Sequence, residues 1–171
     1  MSYFSNFSTI LYDPSGDGSA KLCTDIMSRV RVRANMKKEI VMLDPYDVKE
    51  NETPEIIADR HHGSPYYHWI VMLLNDISDV NHDWVKSTRQ LQKYLTEKYT
   101  EAQLTEPHHY EISQTSGDTT TMIEVENSTY PSASIVTNYE YEVALNEEKR
   151  SIDLLRNEYL GYFVDEFENL I

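Results

Sequence analysis

Residues 46–77 read Tyr-Asp-Val-Lys-Glu-Asn-Glu-Thr-Pro-Glu-Ile-Ile-Ala-Asp-Arg-His-His-Gly-Ser-Pro-Tyr-Tyr-His-Trp-Ile-Val-Met-Leu-Leu-Asn-Asp-Ile. This stretch holds the longest apolar run of the chain, Trp69 to Leu74, and its clearest start and stop signals. Tyr46-Asp47-Val48 alternates apolar and polar like a short strand. Thr53-Pro54 predicts a helix start, with threonine as N-cap, proline at the first helical position and Glu55 in the first turn. That helix buries Ile56 or Ile57 with Ala58 and stops at Gly63, a C-cap glycine. Ser64-Pro65 opens a second helix by the same device, with Trp69, Ile70, Leu73 and Leu74 at helical spacing, and Asn75-Asp76 ends it. A strand and two short helices form a compact core.

Outward from this core the signals weaken. Residues 3–12 are aromatic or β-branched in places, and Asp13-Pro14-Ser15-Gly16-Asp17-Gly18 then breaks the pattern with loop chemistry. The acidic loop lacks the ligand ladder ending in glutamate that a calcium loop needs. Thr24-Asp25-Ile26-Met27 offers a short helix, and Arg29-Val30-Arg31-Val32-Arg33 alternates like an exposed or edge strand with three arginines on one face. Residues 39–43 form a further strand candidate. Ser87 and Gln90 make a capping box for a helix carrying Leu91, Tyr94, Leu95 and Tyr99. Tyr110, Ile112, Ile123 and Val125 alternate with polar residues around Ser116-Gly117-Asp118, a β-hairpin pattern too thin in apolar residues to bury much alone. From about Tyr139 a helix carries Leu145, Ile152 and Leu155. Asn157 interrupts it, and Tyr159, Phe163, Phe167 and Leu170 then form a ladder that suits a core or a docking partner.

The 171 residues carry a net charge of -14, which opposes binding to nucleic acid or an anionic membrane by bulk attraction. Residues 1–49 hold 7 basic and 6 acidic side chains, whereas residues 101–171 hold 3 basic and 15 acidic, so the excess sits in the C-terminal third. Thirteen tyrosines against 4 phenylalanines suit surfaces that are partly buried or meet a partner. Cys23 stands alone, which leaves no internal disulfide and no cysteine-based zinc site and fits a soluble protein made in a reducing compartment. No signal peptide is expected at the N-terminus. Of the six histidines, His61 and His62 are adjacent and face different ways on a helix, while His68 lies beyond a turn. No metal, no cofactor and no catalytic residue is expected. Phosphate-binding and dinucleotide glycine motifs and the Gly-x-Ser-x-Gly nucleophile motif are absent from the sequence.

Tyr46, Val48, Thr53, Ile57, Ala58, Gly63, Asn75 and Ile77, packed on Trp69, Ile70 and Leu73, resemble the LysM module, a strand–helix–helix–strand unit best known for binding peptidoglycan and chitin. Asn51-Glu52 stands where LysM modules carry Gly-Asp, and Asp79 to Val85 replaces the usual closing strand, so both loops that would line a sugar groove differ. A second resemblance covers nearly the whole chain. Pro54-Glu55-x-x-Ala58-Asp59, Gly63-Ser64-Pro65 with Trp69 and Asn75-Asp76-Ile77, Asp83-Trp84, Tyr139-Glu140-Tyr141-Glu142 and Asn146-Glu147-x-Lys149-Arg150-x-Ile152 are similar to the baseplate wedge protein 53 family of contractile-tailed phages. Tyr3-Phe4, Ile10-Leu11-Tyr12-Asp13 and Thr24-Asp25-Ile26 fit it as well.

The resemblance implies a non-enzymatic virion protein of the tail baseplate, assembled in the host cytoplasm and present once per wedge, six copies per baseplate. It implies contacts with larger wedge subunits, the lysozyme-like sheath initiator and the hub. The expected fold is α+β: a LysM-like strand–helix–helix core with an extended N-terminal arm, a β-hairpin region and a C-terminal helix. The expected segments are an arm over 1–39, the core and its following helix over 40–100, an extended hairpin segment over 101–138 and a helical segment over 139–171. Tyr3, Phe4, Arg29, Arg31, Arg33, Trp84, Tyr159, Phe163, Phe167 and Leu170 are the candidates for docking partners. A glycan-binding LysM module is the alternative.

Overall fold

The computed structural model describes residues 3–28, 30–32 and 41–170. After a 3-10 turn at Tyr3–Asn6 come β1 (Thr9–Tyr12), β2 (Lys21–Thr24), β3 (Leu43–Asp47), α1 (Pro54–His62), a 3-10 turn at Pro65–Tyr67, α2 (His68–Leu74) and α3 (Val80–Asp83). They are followed by α4 (Thr88–Lys98), α5 (Glu101–Leu104), β4 (Pro107–Ser116), β5 (Thr119–Val125), β6 (Ser134–Thr137), α6 (Asn138–Glu148), β7 (Ser151–Leu155) and α7 (Asn157–Leu170). The fold is α+β, as the sequence predicts. The chain divides into two compact units, residues 1–84 with 151–171, and residues 85–150.

The first unit is built on the opening stretch. Thr53 is extended, Pro54 begins α1, and Gly63 closes it at φ 74, donating its N–H to the Asp59 carbonyl at 3.0 Å. Ser64 accepts the Tyr66 N–H as the chain turns into α2. Leu43, Trp69, Ile70, Leu74 and Leu155 pack with Phe7, Phe163 and Phe167 into one buried cluster. Ile57, Ala58 and Val48 are fully buried as well.

The sheet of this unit corrects the sequence reading. β3 pairs antiparallel with β7, with Tyr46 opposite Ile152 and Leu43 opposite Leu155. The closing strand of the strand–helix–helix–strand core therefore comes from residues 151–155, and Asp79 to Val85 forms α3 and the buried Trp84 instead. Ile152 and Leu155 do not continue the preceding helix. Ile152 and Leu154 are buried while Ser151 and Asp153 are exposed, the period of a strand, and Asn157 begins α7 rather than interrupting a helix. The strand expected at 39–43 begins only at Leu43 and runs to Asp47, residues 39 and 40 lying outside the described ones. Thr24–Met27 is a strand end and a turn, because the Asp25 carboxylate accepts from Met27 N–H (3.0 Å) and the Ser28 hydroxyl (2.7 Å) and competes with helix. Residues 30–32 form no strand, and Arg29 and Arg33 lie outside the described residues.

The second unit holds the sheet β5-β4-β6 with α4, α5 and α6. The hairpin register sets Tyr110 opposite Val125 and Ile112 opposite Ile123 across the turn at Gly117, whose φ is 62. Ser87 and Gln90 form the expected capping box, and Thr100 with Gln103 and Thr137 with Glu140 repeat it on α5 and α6. Glu142 is buried. Lys98 Nζ lies 2.5 Å from its carboxylate and the Tyr99 hydroxyl donates to it at 3.0 Å. Burial pushes the Glu142 carboxyl up, but these two donors outweigh burial and hold it below its ordinary value.

Candidate docking surface

β1 and β2 form a hairpin with Ile10 opposite Cys23 and Leu11 opposite Leu22. All eight residues of the two strands are exposed, Leu11 at 72% and Leu22 at 69%. Ile26 and Met27 beyond it are exposed too. The connecting loop is held by its own aspartates. Asp13 accepts N–H groups from Ser15 (3.1 Å), Gly16 (2.8 Å) and Gly18 (2.8 Å), and Asp17 accepts from Ser19. The Gly18 N–H, then the others, depress the Asp13 pKa. Gly16 and Gly18 stand at φ 68 and 85, which glycine adopts without strain. Among the described residues no group of three histidine, cysteine or acidic side chains could hold a metal ion.

N-terminal to this hairpin, Phe7 is buried and Tyr3 stacks at a tilt on Trp69 (5.6 Å) and Phe167 (5.4 Å). Tyr3, Val30, Val32, Trp69, Met72 and Leu73 line an open groove of about 920 Å³, with Arg31 at its edge.

The loops of residues 46–77 are held by the chain's own hydrogen bonds. The Glu52 carboxylate, buried, accepts from the Tyr46 hydroxyl (2.8 Å), the Lys49 N–H (2.9 Å) and the Arg60 guanidinium. Burial pushes its pKa up, and these donors more than reverse the shift. Trp84 donates its indole N–H to the Glu52 carbonyl at 2.8 Å. Asn75 donates to the carbonyls of Val71 and Asp153, both at 2.8 Å, and accepts the Asp153 N–H at 2.8 Å. Ile77 N–H returns to the Met72 carbonyl at 2.9 Å. Asn51 (φ 62) and Asp76 (φ 55) supply the left-handed turns that their side-chain types tolerate.

The expected docking side chains separate into two groups. Phe163, Phe167 and Trp84 are buried within the first unit, and Tyr159 packs against its core. Phe4, Arg31 and Leu170 are exposed. Leu11, Leu22, Ile26, Met27 and Tyr162 are exposed apolar side chains that the sequence does not nominate for docking. Leu11 and Leu22 were hard to pair because an eight-residue loop separates β1 from β2. The Asp/Gly/Ser content of that loop, between two apolar runs, was the available signal.

The histidines serve local roles. His61 Nε2 lies 3.0 Å from the Leu155 carbonyl and His62 Nδ1 lies 2.9 Å from Asn157 Oδ1, while His62 Nε2 is buried with no partner. Burial lowers the His62 pKa below its ordinary value, against the pull of Asn157. His109 pairs with Glu111 and His108 stacks on Tyr141.

The sequence model of the base plate wedge protein 53 family matches residues 21–132, from β2 through the whole β4–β5 hairpin. The chain belongs to this family. This base plate wedge protein is therefore a structural component of the phage virion, in the tail baseplate, and works with other baseplate proteins. No helix among its described residues is long and apolar enough to cross a membrane. Among curated proteins none matches the chain.

Proposed function

We propose that this wedge protein is a bridging subunit that ties neighbouring wedges together through contacts with larger wedge subunits, the sheath initiator and the hub. One observation carries the reading: a hairpin whose turn is hydrogen-bonded through Asp13 exposes Leu11, Tyr12 and Leu22, with no third strand among the described residues. A two-stranded hairpin is marginal in water, and apolar side chains held out on one are used where a neighbour covers them. Six copies per baseplate is the proposed stoichiometry. Quantitative mass spectrometry of purified baseplates tests it, six copies supporting the reading and any other number opposing it.

The paired strands β3 and β7 around α1 and α2 support a LysM-like core, and glycan binding is the second reading. Its groove would lie between residues 50–54 and 74–79, where Glu52 and Asn75 are already engaged by the chain's own donors and acceptors. A peptidoglycan pull-down separates the readings. Saturable binding lost on Asn75→Ala in a still-folded chain would favour the glycan.

A further inference from the structure

The hairpin offers a main-chain edge as well as side chains. Among the described residues its sheet contains β1 and β2 alone, so each strand turns a row of backbone N–H and C=O groups away from its partner. Edge strands are usually guarded by lysine, proline, a bulge or a cover. β2 carries Lys21, whereas β1 reads Thr-Ile-Leu-Tyr, with no charge, no proline and no glycine, and its register with β2 runs without a bulge. β1 is also fixed at both ends. Phe7 is buried in the core just before it, and Asp13 just after it binds three backbone N–H groups. An unguarded edge held in extended form is the receptor geometry of strand addition, and its pre-ordering lowers the entropic cost of binding.

We propose that the outer edge of β1 accepts an extended, apolar, neutral or basic segment of a different baseplate subunit as a third strand of the β1–β2 sheet. This rests on the bridging role above and names its mode. The incoming strand hydrogen-bonds to the outward groups of Thr9–Tyr12 and lays alternate side chains beside Leu11 on one face and Ile10 and Tyr12 on the other. Closure decides against a second copy of this chain as occupant. β1 paired with β1 closes a two-fold dimer that uses up the edge and leaves none for a neighbouring subunit, and the net charge of -14 on the whole chain also opposes self-association.

Hydrogen exchange on the full chain, free and in purified baseplates, tests the proposal. The amides of Thr9–Tyr12 that face away from β2 exchange fast in the free chain and slow by about 100-fold or more in the baseplate. Leu11→Lys adds the missing edge guard at an exposed site. It leaves the thermal midpoint unchanged and lowers incorporation into baseplates at least tenfold, while Leu11→Val retains it. If the chain is incorporated but those amides stay unprotected, the third strand is overturned and the bridging role stands. Protection of the free chain that grows with concentration would assign the edge to a second copy and overturn the proposal. Baseplates that form without the chain overturn the bridging role and the third strand together.

Discussion

Two asparagines do the same work in the two units. Asn75 pairs through its amide with both backbone groups of Asp153, and Asn146 pairs with both backbone groups of Lys86, accepting at 2.8 Å and donating at 3.0 Å. Each side chain acts as one residue of strand and fixes a segment far away in sequence. Asn146 is buried and Asn75 half-buried, so water replaces the lost partners less well at residue 146. Asn146→Ala is expected to cost about 2 kcal/mol and Asn75→Ala about 1 kcal/mol. Urea denaturation of the two variants checks the order, and equal effects would deny the role of burial. His62 supplies the pH dependence at this scale. Its folded pKa lies below the unfolded value, so the unfolded chain takes the proton first. Its contribution is complete above about pH 6.5 and is lost as pH falls below that value. Protonation would also leave a buried Nε2–H without an acceptor. A plot of unfolding free energy against pH should decline below about 6.5, and His62→Gln should flatten that decline.

At the scale of elements, local chemistry was legible and distant pairing was not. Pro54 and Gly63 as the bounds of α1, the Ser87–Gln90 box and the turn at Gly117 each carry their signal within a few residues and form as read. Ser64-Pro65 instead opens a 3-10 turn ahead of α2, and Thr53 stands at the N-cap without a side-chain cap hydrogen bond. β7 was hidden because its partner β3 lies about a hundred residues away, and because Leu145, Ile152 and Leu155 also fall at helical spacing. The ladder on α7 suits a core or a docking partner, and its two phenylalanines serve the core: Phe163 and Phe167 belong to the buried cluster of the first unit, with the Phe167 ring 4.4 Å from Trp69. Phe167→Ala is expected to cost about 3–5 kcal/mol, whereas Tyr162→Ala, at a side chain 76% exposed, should stay within about 0.5 kcal/mol. Thermal or urea melts of both decide it; similar losses would mean that α7 does not dock by its Phe face.

For the molecule as a whole, residues 85–150 form a unit of their own that falls in sequence between residues 1–84 and 151–171, the two segments of the first unit, which β3 and β7 join by strand pairing. Residues 46–77 thus supply much of the core of the first unit, and the strand that pairs with β3 follows residues 85–150 in the chain. Of the docking candidates read from the sequence, Tyr159, Phe163 and Phe167 lay on one ladder with Leu170, because aromatic periodicity is a strong signal. Most of those rings are spent inside the fold, and the exposed apolar side chains sit on a short hairpin whose four-residue strands leave almost no periodicity to detect. This hairpin is proposed to join the wedge protein to its neighbours. The direct test is incorporation into baseplates of the double variant Leu11→Glu/Leu22→Lys, whose opposite charges face each other across the strand pair, measured beside its thermal midpoint. The account predicts an unchanged midpoint with incorporation reduced at least tenfold; unchanged midpoint with normal incorporation would contradict it.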